Sequence, residues 1–349
     1  ENLDMKMLLK DFNSDLRNRV RAFLWRQWAQ LGLASATVES PDKWIIDPEA
    51  LLLLTASLGR WDSRLFDEVI DWILKNANFV NFPRLKSILR TYHFDSERVI
   101  AAMASVVQAG NRKLNWRIPK LDIPSSPESL FWRGKQPQPI GYGKEDLVFR
   151  QFGFSRGVLE LRGLSRRFNP VLPECALLRL RSFLGISARA EIIIFLCTHG
   201  PAHPSRIARE TGFSQKNIQD TLVDMAASHV VHVGKLEGRK KSYFMTNKDR
   251  ATLLHDPDHP PRWVTWSPLF RAIEILWFKL LHLETEKPSP LLLSSQLRQL
   301  KETLQPLVQQ GGYMDAFSND WAYVGESYSE VFLSDSDYWL RKMLNEKKL

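Results

Sequence analysis

Cysteine is scarce in this 349-residue chain, which holds only Cys175 and Cys197. Two thiols cannot staple a disulfide scaffold, and their scarcity points to a reducing compartment. Long apolar runs are lacking as well. The best, Ala50–Leu58 and Ile192–Cys197, fall far short of the ~18 residues that read as a membrane span. The opening stretch ENLDMKMLLKDF has no secretory signal pattern, so the cytoplasm is the expected location and no membrane partner is expected. The chain also holds no P-loop, no dinucleotide-binding glycine pattern and no H-E-x-x-H. That removes the commonest signatures for nucleotide cofactors and catalytic zinc.

What is present is a composition of 44% hydrophobic and 25% charged residues, that of a folded globular chain. At ~100–200 residues per domain, the length predicts two or three domains. Tryptophan is abundant, with twelve copies. Trp25, Trp28, Trp44, Trp61, Trp72, Trp263, Trp266 and Trp277 lie in or beside apolar-periodic segments, which predicts large buried cores rather than base-stacking platforms. The net charge of +9 is unevenly placed: residues 1–110 are neutral, 111–186 carry +8, 187–250 carry +4 and 251–349 carry −3. A basic middle is the electrostatic footprint of a protein that meets a polyanion, most often nucleic acid. A solubilising face, or a contact for the acidic C-terminal part, is the plainer alternative.

Residues 1–110 read as an all-helical domain. Leu16–Leu31 places Val20, Phe23, Leu24 and Trp28 at helical spacing. Asp47 before Pro48 is an N-cap followed by proline at the first helical position. Ser63–Asn76 is apolar-periodic, and Asn81-Phe82-Pro83 opens a further helix. Asp95 is the expected cap of the last, which ends at Gly110. Residues 111–186 form a basic linker or arm, broken by five prolines between Pro119 and Pro139. Its cations are interleaved with Trp116, Phe131 and Trp132, so it either follows a phosphate backbone or packs by its aromatics; packing is the favoured reading. Leu147 with Phe149, and Val158 with Leu159 and Leu161, suggest two short strands. A helix follows from Pro173 to Phe183.

Residues 187–250 carry the most information. Ser187 precedes a helix that Gly200-Pro201 stops. A short second helix, from Pro204, ends at Gly212. Ser214 caps a third, in which Ile218, Leu222 and Met225 face a core, leaving Gln215, Lys216, Asn217, Gln219, Asp220 and Val223 turned outward. Val230, Val231 and Val233 then form one strand, Lys235–Lys241 a tip and Ser242–Thr246 the return. On HPSRIARETGFSQKNIQDTLVDMAASHVV and VGKLEGRKKSYFMT, the segment resembles the winged helix-turn-helix domain of transcriptional regulators of the broad MarR and ArsR type. The resemblance spans about 65 residues, under a fifth of the chain.

That resemblance implies a DNA-binding regulator, with double-stranded DNA as partner and a homodimer as its assembly. The third helix would enter the major groove, where Gln215, Asn217 and Gln219 suit adenine and Lys216 suits guanine. Ser205 and Ser214, at helix starts, suit phosphates. Lys235, Arg239, Lys240 and Lys241 suit the backbone or minor groove. The alternative is a scaffold whose winged helix meets a partner protein, since such domains also serve protein contacts. Nothing names a small-molecule effector.

Other patterns are weaker. Gly153-Phe154-Ser155-Arg156-Gly157 matches G-x-S-x-G but lacks the strand and helix that a nucleophile elbow needs. Cys197, His199 and His203 straddle Gly200-Pro201, and His255 to His259 lie in a proline-bounded turn, so no metal site is expected. No catalytic residues and no cofactor are assigned, and the chain is not read as an enzyme. Residues 251–349 form a helical region, a candidate for dimerisation. Ser267-Pro268 starts one helix, and Leu293, Leu297, Leu300, Leu304 and Leu307 form an a/d stripe broken by Pro306. A core helix is favoured over a seam between chains. The acidic tail after Phe317 is expected to dock on the basic middle. The expected fold class is mainly α: an N-terminal helical domain, a central winged helix-turn-helix with a short β-hairpin wing, and a C-terminal helical region.

Overall fold

In chain order, the computed structural model places α1 (Asn2–Gln30), α2 (Pro48–Leu58), α3 (Ser63–Asn76), α4 (Phe82–Tyr92) and α5 (Glu97–Gly110). An arm follows with β1 (Glu128–Ser129), β2 (Trp132–Arg133), β3 (Gln136–Pro137), α6 (Leu147–Arg150) and β4 (Phe154–Ser155). Next come α7 (Ala176–Leu184), α8 (Ala188–Thr198), α9 (Pro204–Thr211), α10 (Gln215–Ala227), β5 (His232–Lys235), β6 (Lys241–Phe244) and α11 (Asn247–Leu253). The chain closes on α12 (Trp266–Glu286), α13 (Pro290–Gln310) and α14 (Tyr328–Met343). The described residues are 2–34, 44–111, 114, 116–118, 120–140, 143–235, 241–254, 261–318 and 325–344. The fold is mainly helical with small two-stranded sheets. Among the described residues, no helix is long and apolar enough to cross a membrane.

Local chemistry starts the helices where the sequence indicates. The Asp47 carboxylate accepts from the amides of Glu49 and Ala50 at 3.1 and 3.2 Å, with Pro48 at the first helical position. Asp62 caps α3 and Asn81 caps α4 through single amide bonds at 3.0 Å. Each cap satisfies a donor that the helix itself cannot. Ser96, not Asp95, occupies the cap position of α5.

α2 is buried on every side, from Pro48 to Leu58, as its largely apolar circumference requires. It packs against α1, α4, α5 and α12. One continuous core therefore joins α1–α5 with α12–α14, although these groups stand at opposite ends of the chain. Tryptophans fill it. Trp28 donates to Thr55 Oγ1 at 2.9 Å, Trp72 donates to the Leu31 carbonyl at 2.6 Å, and their rings lie 4.9 Å apart. The leucine stripe of α13 is part of this core: Leu293, Leu297, Leu300 and Leu304 are buried and Leu307 packs on it. Pro306 sits inside the helix without ending it. α14 lies against α13 and α1. Its Asp337 pairs with Arg19, so this acidic stretch meets the first helix rather than the basic middle.

The arm packs by its aromatics. Trp116 stacks on Phe82 at 4.7 Å and Phe131 meets Phe66 at 5.5 Å. Its two expected strands are absent. Leu147 to Arg150 is a helical turn, because both Asp146 oxygens work locally. Oδ1 accepts from the amides of Val148 and Phe149, and Oδ2 from Leu159. This closes a turn at one end and holds Val158–Leu161 as a loop. Instead Phe154–Ser155 pairs in parallel with Glu128–Ser129, and Arg156 forms a two-pronged bond to Asp67 at 2.7 and 2.9 Å.

A second core holds α7 to α11 together with Ile45. The two cores meet at the start of α2.

Candidate nucleic-acid interface

Among the described residues, 187–250 hold α8, α9, α10, a hairpin and the first turn of α11. α8 is apolar and buried over most of its length. α9 starts with Pro204 after His203, whose Nδ1 accepts from the Ser205 amide at 3.2 Å. Gly212 ends α9 at φ +76°, a left-handed conformation that favours glycine. A Cβ there would stand 3.0 Å from Ile88 Cγ1, so the turn lies close against α4. Ser214 then caps α10, its Oγ accepting from the Asn217 amide at 3.3 Å. Ile218, Leu222 and Met225 are buried, which leaves the opposite face of α10 outward.

Eight of the ten predicted contact residues are among the described residues. Gln215, Lys216 and Asn217 are exposed on the first turn of α10. The Asn217 Oδ1 accepts from Thr221 Oγ1 at 3.4 Å. Gln219 is half-buried and donates from Nε2 to the Tyr243 hydroxyl at 3.3 Å, tying the helix to the hairpin. Ser205 is exposed with its hydroxyl 2.8 Å from His203 Nδ1. Lys235 and Lys241 are exposed and face each other across the hairpin. Arg239 and Lys240 lie outside the described residues. Asp220 and Asp224 are exposed on α10, and Asp224 stands 3.9 Å from Arg189.

The hairpin runs from His232↔Phe244 to Lys235↔Lys241. Its first strand begins two residues after Val230. The amides of Val230 and Val231 both donate to the Met225 carbonyl, at 3.0 and 3.2 Å, closing α10 instead of extending the ladder. Ala202 forms an isolated bridge to the hairpin through two backbone bonds to Tyr243 at 2.9 and 3.0 Å. Thr246 and Asp249 form a capping box for α11. The Thr246 hydroxyl bond holds the Asp249 carboxyl below the usual carboxylate range.

The Cys197, His199 and His203 group does not converge. Cys197 Sγ lies 3.9 Å from Met245 Sδ, and burial pushes its thiol up to about 11. His199 stacks on Phe195 at 4.0 Å, and burial holds it below the ordinary imidazole range. Among the described residues, no three His, Cys, Asp or Glu side chains are grouped to hold a metal.

Sequence reasoning missed the charged cluster that fixes this unit to the helical body. Arg181 on α7 donates to Glu191 on α8 and to Glu49 on α2, at 2.5 to 3.0 Å. Arg84 on α4 donates to Glu49 and Asp47, and its Nε donates to the Thr211 carbonyl at 2.5 Å. All five charged groups are buried. Burial disfavours both guanidinium charges, yet the flanking carboxylates raise Arg84 and Arg181 above the ordinary arginine range. Burial likewise pushes the Asp47 carboxyl up, and Arg84 outweighs it, leaving Asp47 below the usual range. The available signal was a charge inside an apolar run, as in PEALLLL and AEIIIFL.

Against this geometry, no protein-family model, no curated protein and no solved structure matches the chain.

Proposed function

We propose that the protein is a DNA-binding transcriptional regulator that reads duplex DNA with α10 and grips the backbone with the hairpin. The observation that carries this reading is the direct opposition of Lys235 and Lys241, both exposed, on the hairpin that Tyr243 ties to α10. Like charges opposite each other on paired strands are unfavourable. A phosphate backbone over the pair removes that penalty. The first turn of α10 then offers Gln215, Lys216 and Asn217 to base edges in the major groove. Gln219 holds the helix against the hairpin. In sequence, Arg239 and Lys240 add positive charge between the two lysines, and Ser205 and Ser214 lie at the helix starts that would approach phosphates. A homodimer on symmetric half-sites and a cytoplasmic location belong to the same proposal.

A protein partner is the second reading. It is favoured by Val223 on α10 and Val233 on β5, which are 52% and 53% exposed, apolar surface of the kind that protein contacts cover.

The test is fluorescence anisotropy on mixed genomic fragments at two salt concentrations, followed by selection and sequencing of bound DNA. The K235A/K241A variant is expected to flatten the salt slope by about 2, roughly one for each phosphate that a lysine no longer neutralises. N217A is expected to relax preference at one base pair, and a palindromic product supports the dimer. DNA binding absent in a folded protein rejects the regulator and leaves the protein-partner reading.

A further inference from the structure

The arm between Glu128 and Gln138 is pinned to the helical body. Arg60 donates to the carbonyls of Leu130 and Ser129 at 2.7 and 2.9 Å, and Trp61 Nε1 donates to the Gly134 carbonyl at 2.7 Å. Trp132 stacks on Trp61, with ring centroids 6.1 Å apart and planes 19° apart. Between this strap, α1 and the start of α3 lies a solvent-open cleft of about 460 Å³. That volume falls within the range of small-molecule sites.

The charge in this cleft is unbalanced. Arg17 and Arg21 line it from α1 and Arg133 from the strap. Among the described residues, none of the three makes a side-chain hydrogen bond or an ion pair. Residues four apart on a helix are neighbours, so Arg17 and Arg21 repel each other unless an anion lies between them. The carboxylate in the lining, Asp62, is already engaged. Its Oδ1 caps α3 at 3.0 Å, and its Oδ2 accepts from Trp25 Nε1 at 2.8 Å. An occupant must therefore bring negative charge, and guanidinium forks match phosphate oxygens best. The Trp61–Trp132 stack adds a wall suited to a planar ring.

We infer that this cleft binds a free nucleotide, with its phosphates among Arg17, Arg21 and Arg133 and its base against the two tryptophans. The lining residues lie outside residues 187–250, so the site stands independently of the DNA-binding reading. It gives the helical body a ligand of its own. One base with its sugar and phosphates suits the volume, which favours a mononucleotide over a strand.

The test is calorimetric titration of the full chain with ATP, AMP, adenosine and inorganic pyrophosphate. ATP and AMP are expected to bind saturably. Adenosine and pyrophosphate each supply only part of the contact, so each is expected to bind at least about 10-fold more weakly. R17E/R21E is expected to lower ATP affinity at least about 10-fold with an unchanged melting temperature. Should that variant fail to fold, R133E serves in its place, on an exposed residue. W132A is expected to weaken binding and W132F to restore it. The inference is overturned if ATP, GTP, CTP and UTP all fail to bind saturably at millimolar concentration. Undiminished ATP binding in the charge-reversed variant also overturns it. So does a single-stranded oligonucleotide that binds over 100-fold more tightly than ATP, because the cleft would then be a strand-binding surface. Duplex binding by K235A/K241A is measured in parallel, so this site and the winged helix fail separately.

Discussion

Replacing Arg181 by Met is expected to uncouple residues 187–250 from the helical body. The Arg181 side chain is fully buried, and the guanidinium makes bonds to Glu191 Oε1, to both Glu49 oxygens and to the Phe79 carbonyl at 2.5–3.0 Å. Methionine fills much of the same volume and makes none of them. Glu49 keeps Arg84 and the Asn81 amide. Among the described residues, the Glu191 carboxylate keeps no hydrogen bond, since its Oε2 already lacks a partner. Stranding a buried charge in this way costs about 3–5 kcal/mol, a large share of the ~5–15 kcal/mol that holds a domain folded. With a urea slope near 3 kcal/mol/M for a chain of this size, the midpoint falls by roughly 1 M or more. The sequence supplies two probes. Residues 187–250 contain no tryptophan, and although Trp263 packs on Phe195 at 5.8 Å, tryptophan fluorescence follows mainly the rest of the chain while far-ultraviolet circular dichroism follows all helices. In the variant, the dichroism signal is expected to fall ahead of the fluorescence. The R181M/E191M variant removes both members of the pair and is expected to recover most of the loss. A loss below about 1 kcal/mol, well under the expected range, or no recovery in the double variant, refutes the reasoning.

Lys241→Glu turns the opposed lysines into an opposite-charge pair. The hairpin is expected to gain about 0.2–1 kcal/mol while DNA affinity falls, read by melting curves and anisotropy; unchanged affinity places the hairpin off the backbone. Gly212→Ala is expected to cost at least ~1–2 kcal/mol, because φ +76° strains a Cβ-bearing residue and Ile88 must shift. Urea unfolding checks it, and a neutral result rules out the tight approach to α4. His199 stays neutral in the folded protein because burial lowers its pKa, with Arg206 and Arg250 acting in the same sense, while Glu210 and the Phe195 carbonyl act against. The unfolded chain takes up that proton near pH 6.5, so stability is complete above that value and falls as pH is lowered through it. His199→Phe is expected to flatten this fall between pH 7.5 and 5.5; identical slopes in urea midpoints would count against it.

Local signals carried far along this chain. Asp47, Asn81 and Ser214 cap helices where a polar side chain precedes an apolar run, and Gly212 ends one where a left-handed turn is needed. Each depends on residues within four positions, so the sequence alone suffices. The same holds for the polar outward face of α10, which follows once Ile218, Leu222 and Met225 turn inward. Strand assignments in the arm were not legible. Two short apolar alternations lost to Asp146, whose carboxylate reaches Leu159, thirteen residues away.

Tertiary packing decided what no window of sequence contains. α12 meets α2 and α1 across more than two hundred residues, because each presents apolar surface that only the others can cover. Arg181, Glu191 and Glu49 become one cluster only when three helices converge. Taken singly they are ordinary helix charges, and their burial is tolerable only as a set. The nucleotide-sized cleft arises the same way. Arg17, Arg133 and Trp61 come from three separate segments, and a concave surface exists only once those segments are packed together.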